Sequence, residues 1–269
     1  MTAPEITVIT ITRTRPQLLQ RAMAAVERAC DEAVLEHRIL VDACAQTETM
    51  LRTHPTAPHR MWSVAPRAAH EHSGPGRSSA LRNLGVVQAR GRYIAFIDDD
   101  NDWERGHLSS LLALARASGV PAVHSSLQMF HRDGQPWCED RVPWARDEAA
   151  GRARFAELVA QGVCAWGSNV FHDRADPPDQ PGGARTVDTG AWLIERSLLL
   201  RIPFRTEFSQ TDADALTGED DKLLADILAA GVRPRSTGQA TLRYYTGGYS
   251  NRFDAPFDDS FSWRSEAAS

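Results

Sequence analysis

Apolar and polar positions alternate along this chain in two periods, and each change of period marks an element. Ile6 to Thr12 (ITVITIT) is a run of β-branched residues, as in a buried strand. Pro16 suits the first turn of a helix, and Leu18, Leu19, Ala22, Met23 and Val26 follow on one face. A short strand, RILVD, ends at Asp42. A helix is predicted over Ala45 to Thr53 and a strand over Arg60 to Val64. The glycine-containing loop HEHSGPGRSS leads into a helix carrying Leu81, Leu84 and Val87, with Gly91 at its C-terminal cap position. Tyr93 to Ile97 is a strongly apolar strand running directly into Asp98-Asp99-Asp100-Asn101-Asp102. Leu108, Leu111, Leu112 and Ala115 then mark an amphipathic helix, stopped by Gly119 and Pro121.

Strand and helix therefore alternate through the first half. This pattern predicts an α/β fold with a mostly parallel sheet and helices on both faces. Such sheets bind ligands at the carboxyl ends of their strands, where Asp42 and the aspartate run fall. Beyond Val120, AVHSSLQMF reads as a strand, Asp133-Gly134 as a turn and Arg152 to Gln161 as a helix. The Pro, Gly and Asp content of Asp173 to Arg185 predicts a loop. AWLIERSLLLRI resumes apolar structure. A helix with Leu223, Leu224, Ile227 and Leu228 runs from Glu219 to Gly231, and QATLRYY is a last strand. The expectation is one domain over 1–269, with a first half (1–118), a second half (119–253) and a loose tail (254–269).

Composition narrows the function. With 269 residues, 42% hydrophobic and 24% charged, the chain can bury a substantial core. The net charge is −5 and the basic residues are scattered, which argues against a nucleic-acid partner needing a basic stripe. Cys30, Cys44, Cys138 and Cys164 are widely spaced and suggest neither a disulfide framework nor a zinc knuckle. No apolar run approaches the ~18 residues of a membrane span. A soluble cytoplasmic enzyme without an integral membrane segment is expected.

The aspartate run carries the sharpest chemistry. Adjacent carboxylates repel unless water or a cation offsets them. Mg²⁺ or Mn²⁺ supplies that offset with one or two carboxylates plus substrate phosphate oxygens. A solvated acidic turn opening the next helix is the plain alternative. An EF-hand fails, because Trp103 and Ser109 stand where it needs Gly and Glu.

The segment SSALRNLGVVQARGRYIAFIDDDND resembles the stretch of family 2 glycosyltransferases that ends in the Asp-x-Asp motif. Arg82, Asn83, Gly85, Ala89, Gly91 and Asp98-Asp99-Asp100 match at fixed spacing. The resemblance implies a GT-A fold, Rossmann-like, with an acceptor-side C-terminal elaboration. It also implies a nucleotide-diphosphate sugar donor of the UDP, GDP or dTDP type. By this likeness Asp100 would ligate the metal, with Asp98 as a further ligand or a ribose contact. Thr12, Arg13, Asp42, Arg82, Asp98 and Asp99 would contact the donor, Asp42 facing the base. A strand-terminal turn remains the other reading of Asp42, and a surface arginine that of Arg82.

The later segment LTGEDDKLLADILAAG is similar to the family's Glu-Asp motif. It implies Asp220 as the base for the acceptor hydroxyl, Glu219 as a positioning group and Asp221 as a rival base. A helix cap, Thr217 followed three residues later by Asp220, is the competing explanation. In VDTGAWLIERSLL, Asp188 and Trp192 are acceptor-side candidates, although Trp192 equally suits core packing. Many relatives carry a C-terminal His, whereas LRYYTGGYSNRF has none. Arg243, Tyr244, Tyr245 or Tyr249 are candidates to contact the diphosphate instead, and Gly247-Gly248 to hinge a lid. His70 and His72 read best as loop histidines. Two rivals are a sugar nucleotidyltransferase, which would want a glycine-rich loop after the first strand, and a nucleotide-sugar-binding protein without catalysis.

Overall fold

The computed structural model describes residues 3–29, 35–55, 57–68, 71, 73–175 and 185–248. Cys30, His70, His72, Tyr249, the tail and most of the Asp173–Arg185 loop lie outside them. The first half alternates as its pattern predicts: β1 (Ile6–Thr12), α1 (Pro16–Arg28), β2 (Leu35–Asp42), α2 (Ala45–Thr53), β3 (Arg60–Ala65), α3 (Pro75–Gln88) and β4 (Tyr93–Phe96). There follow β5 (Asp102–Trp103), α4 (His107–Ser118), β6 (Ala122–Phe130), α5 (Glu148–Ala160) and β7 (Val170–Phe171). A 3₁₀ turn (Thr189–Ala191) then precedes β8 (Trp192–Glu195), α6 (Arg196–Arg201), α7 (Gln210–Asp214), α8 (Glu219–Ala229) and β9 (Arg235–Tyr245).

The strands form one sheet in the order β3-β2-β1-β4-β8-β6-β9-β5, with β7 beside β6. The pairings set β3, β2, β1, β4, β6 and β9 in one direction, with β8, β5 and β7 opposed. The sheet is thus mostly parallel, and helices cover it. Coverage on both faces explains why β4 is buried throughout and why Ile6, Val8 and Ile9 of β1 are at most 1% exposed. Among the described residues no helix is long and apolar enough to cross a membrane.

Several details differ from the sequence pattern. The helix before β4 ends at Gln88 with Ala89 as its cap, so Gly91 is not a helix cap. A Cβ at Gly91 would lie 2.5 Å from the Thr7 nitrogen, so this glycine lets the chain cross against β1. Helix α5 starts at Glu148 rather than Arg152, because the Asp147 carboxylate accepts from the Ala150 N–H at 2.7 Å. Gly119 does end α4, in a left-handed conformation at φ 66°.

Candidate functional site

Strand β1 has β2 on one side and β4 on the other, so the chain leaves their carboxyl ends in diverging directions. A cleft of about 900 Å³, counting its open mouth, lies there. It is lined by Thr12 at the end of β1 and Arg13 just after it, Asp42 from β2, Arg77 and Arg82 from α3, Asp98 to Asn101, and Glu219 from α8. Thr12, Arg13, Asp42, Arg82, Asp98, Asp99 and Asp100 therefore border one space together with Glu219, whereas Asp220, the expected base, is not among the lining residues.

The aspartate loop is held by arginines of α1 and the turn before it. Asp99 is 1% exposed; it accepts from Thr12 Oγ1 at 2.7 Å and pairs with Arg15 Nη2 at 2.5 Å. Arg15 Nη1 also donates to Asp100 Oδ2 at 2.6 Å. Arg21 donates to the Asp100 carbonyl, and Arg28 pairs with Asp102 at 2.8 Å. Asp99, expected to touch the donor, thus devotes its carboxylate to joining the loop to β1. Burial pushes that carboxyl up to about 7, with Asp100 adding to the rise and Arg15 and Thr12 opposing it. Asp98 is raised too, first by burial, against the pull of Arg82 and with the push of Asp100.

Arg82 is not a surface arginine. It is 3% exposed, donates to Asp98 Oδ1 at 2.7 Å and pairs with Glu219 through its other terminal nitrogen. Burial alone would weaken its charge, but the two carboxylates outweigh burial and raise its pKa. One buried guanidinium thereby ties the aspartate loop to the start of α8. The link spans far too much sequence for periodicity to reveal it.

Asp42 is 4% exposed, and its carboxylate is gripped by arginines. Arg67 Nη1 donates to Oδ2 at 2.6 Å, and Arg77 donates to Oδ1 from Nε at 3.0 Å and Nη2 at 2.6 Å. Sequence reasoning missed Arg67 and Arg77. The only available signal was the position of Arg77 in the Gly-Pro-Gly-Arg opening of α3. Arg13 lies 3.8 Å from Asp42 Oδ2, and its buried Nε and Nη1 have no hydrogen-bond acceptor. Two such donors in a cleft wall suit an anionic or carbonyl-bearing ligand.

At α8 the residue before the helix is Gly218, and Asp221 Oδ2 accepts from its N–H at 2.8 Å. Asp221 is therefore the capping carboxylate, and the cap expected from Thr217 and Asp220 does not form. Asp220 Oδ1 accepts from the Asp221 N–H at 2.9 Å. Its pKa is pushed well above the ordinary carboxylate range by burial and by Asp221, Glu219 and Asp188. Asp188 accepts from the Gly190 N–H at 2.7 Å, and burial followed by the charge of Asp98 raises it to about 7. Asp188 thus lies within electrostatic reach of Asp98, and Asp220 within reach of Asp188. Trp192 is fully buried, edge-on to His124 at 5.3 Å, so it packs the core. Of the C-terminal candidates Tyr244 lines the cleft, whereas Arg243 turns to Glu104 at 2.9 Å and Tyr245 lies under Arg21 at 4.0 Å. Gly248 comes close enough to Asp100 that a Cβ there would sit 2.6 Å from Oδ2.

The donor set suits a hard divalent cation that borrows substrate oxygens. Asp98 and Asp100 offer carboxylates from one loop, their side chains 32% and 16% exposed, and Asp100 already raises Asp98 by charge repulsion. Among the described residues no three His, Cys, Asp or Glu side chains form a ready-made ligand group. A cation held by Asp98 and Asp100 would need further oxygens from a ligand.

A family model described as glycosyl transferase family 2 matches residues 7–168, more than half of the 269-residue chain. A curated Escherichia coli (strain K12) protein, named "Putative colanic acid biosynthesis glycosyl transferase WcaA", is 34% identical over 111 residues, 41% of this chain and 37% of that protein. Among solved structures, S. aureus TarS 1-349 in complex with UDP-GlcNAc superposes with a TM-score of 0.59 at 14% identity, covering 94% of this chain and 61% of that one. The mannosyltransferase PcManGT from Pyrobaculum calidifontis, in complex with GDP-Man and Mn²⁺, gives 0.58 at 14% identity, covering 93% and 59%. The two structural likenesses speak for the GT-A fold. The chain spans little more than a third of the curated relative and about three fifths of these two structures.

Proposed function

The chain belongs to glycosyl transferase family 2, and from that premise we propose that it moves a sugar from a nucleoside-diphosphate donor to an acceptor hydroxyl, with inversion and with the help of Mg²⁺ or Mn²⁺. The observation that carries this reading is Arg82, whose pairs with Asp98 and Glu219 bring the donor-side acids and the start of α8 to one cleft. Arg13, with two buried donors lacking acceptors, and Arg15 face the diphosphate end of that cleft, and Asp42 with its arginines frames the base end. UDP-, GDP- and dTDP-sugars all fit this description; UDP-GlcNAc and GDP-Man are bound by the two structural neighbours.

In this reading Asp98 and Asp100 hold the cation, which when bound offsets charge on the departing diphosphate. Asp220 takes the proton of the acceptor hydroxyl as that oxygen attacks the anomeric carbon. Attack opposite the leaving diphosphate inverts the configuration. Asp220 directly follows Glu219, which is anchored on Arg82.

Replacing Asp220 tests the proposal. Asp220→Asn should keep calorimetric affinity for UDP or GDP with manganese while transfer, or donor hydrolysis, falls about 100-fold or more. Asp221→Ala should instead retain turnover and lose about 1 kcal/mol of stability with its helix cap. Near-normal turnover in Asp220→Asn would reduce Asp220 to a first-turn acid and remove the proposed base.

A further inference from the structure

We infer that Arg15 is a built-in counter-cation of the aspartate loop, competing with a divalent ion at Asp100 until a nucleoside diphosphate draws it away. The inference rests on the metal-assisted reading above and adds to it a reason for metal and donor to bind together.

Arg15 ends the turn before α1, directly ahead of Pro16. Its guanidinium spans two carboxylates, with Nη2 at 2.5 Å from Asp99 and Nη1 at 2.6 Å from Asp100. The Asp99 end is sealed, since that residue is 1% exposed and also bound by Thr12. The Asp100 end is open: the Arg15 side chain is 22% exposed, and both residues line the cleft. An ion joining Asp100 with Arg15 in place would sit beside a positive charge on the same carboxylate, so the two cations exclude each other electrostatically. A Cβ at Gly248 would sit 2.6 Å from Asp100 Oδ2, so only a glycine there leaves that oxygen room.

A diphosphate relieves the conflict. The planar fork of an arginine matches phosphate oxygens as well as it matches a carboxylate. Arg15 can keep its buried bond to Asp99 and move Nη1 from Asp100 to a phosphate in the adjoining cleft. Asp100 is then available to the metal. Linkage makes the effect mutual: the donor improves metal affinity and the metal improves donor affinity by the same factor.

The test is manganese titration of the full chain followed by electron paramagnetic resonance, without nucleotide and with UDP or GDP. Arg15→Gln should bind manganese alone about tenfold more tightly than wild type, and the enhancement produced by nucleotide should shrink by a similar factor. Arg15→Lys, which keeps the charge without the fork, should fall between them. Because Gln leaves Asp99 with a weaker partner, melting is recorded in parallel, and manganese should raise the melting temperature more in Arg15→Gln than in wild type. Arg15 acting only as a structural latch would leave manganese affinity in Arg15→Gln equal or lower; that result overturns the inference while sparing the metal reading. If wild type with either nucleotide binds no manganese, the metal reading fails and takes this inference with it.

Discussion

Asp188 illustrates how much of this site depends on carboxylates held where water is scarce. Burial, and then the charge of Asp98, raise its pKa to about 7, against an ordinary value near 3.8. Between those two values the folded chain holds a proton that the unfolded chain has released. Stability contributed by this group is therefore present at low pH and lost as pH rises from about 4 to about 7. Asp188→Asn keeps an oxygen for the Gly190 N–H and removes the titration. Urea unfolding at pH 5 and pH 8 should show a smaller fall in stability for the variant than for wild type. Equal falls would mean that Asp188 titrates in the ordinary carboxylate range.

At the scale of elements, the first half was readable because β1, β2 and β4 are largely buried and α1 has one apolar face. β1, α1, α2, β6 and α8 stand where the pattern puts them, within a residue or two. Features created by tertiary contact were not readable. β5 is only Asp102–Trp103 and exists because β9 pairs with it, and β8 enters between β4 and β6 from far along the chain. Gly91 shows the same limit: the sequence suggested a helix cap, whereas the constraint is its closeness to Thr7 on β1. Gly91→Ala would press a methyl group against the Thr7 nitrogen and Oγ1 and disturb the Gly91 N–H to Thr7 Oγ1 bond of 2.9 Å. A stability loss of about 1–3 kcal/mol is expected from chemical denaturation. A change below about 0.5 kcal/mol would show that the crossing has slack.

Across the whole molecule, arginines that look scattered in the sequence converge on acids. Arg15 meets Asp99 and Asp100, Arg28 meets Asp102, Arg67 and Arg77 meet Asp42, and Arg82 meets Asp98 and Glu219. The acids could be picked out beforehand because they fall at strand and helix ends in a family-like order. Their cationic partners could not, since an arginine on a helix carries no local sign of what it will reach. The resulting cleft sets Arg13, Arg15 and Arg82 beside Asp98, Asp100 and Glu219. The most direct test is a crystal structure of the chain soaked with manganese and UDP or GDP. The account predicts the diphosphate beside Arg13 and Arg15, manganese bridging it to Asp100, and Asp220 facing the donor's anomeric position. A nucleotide bound elsewhere, or Asp220 turned away from the diphosphate, would contradict it.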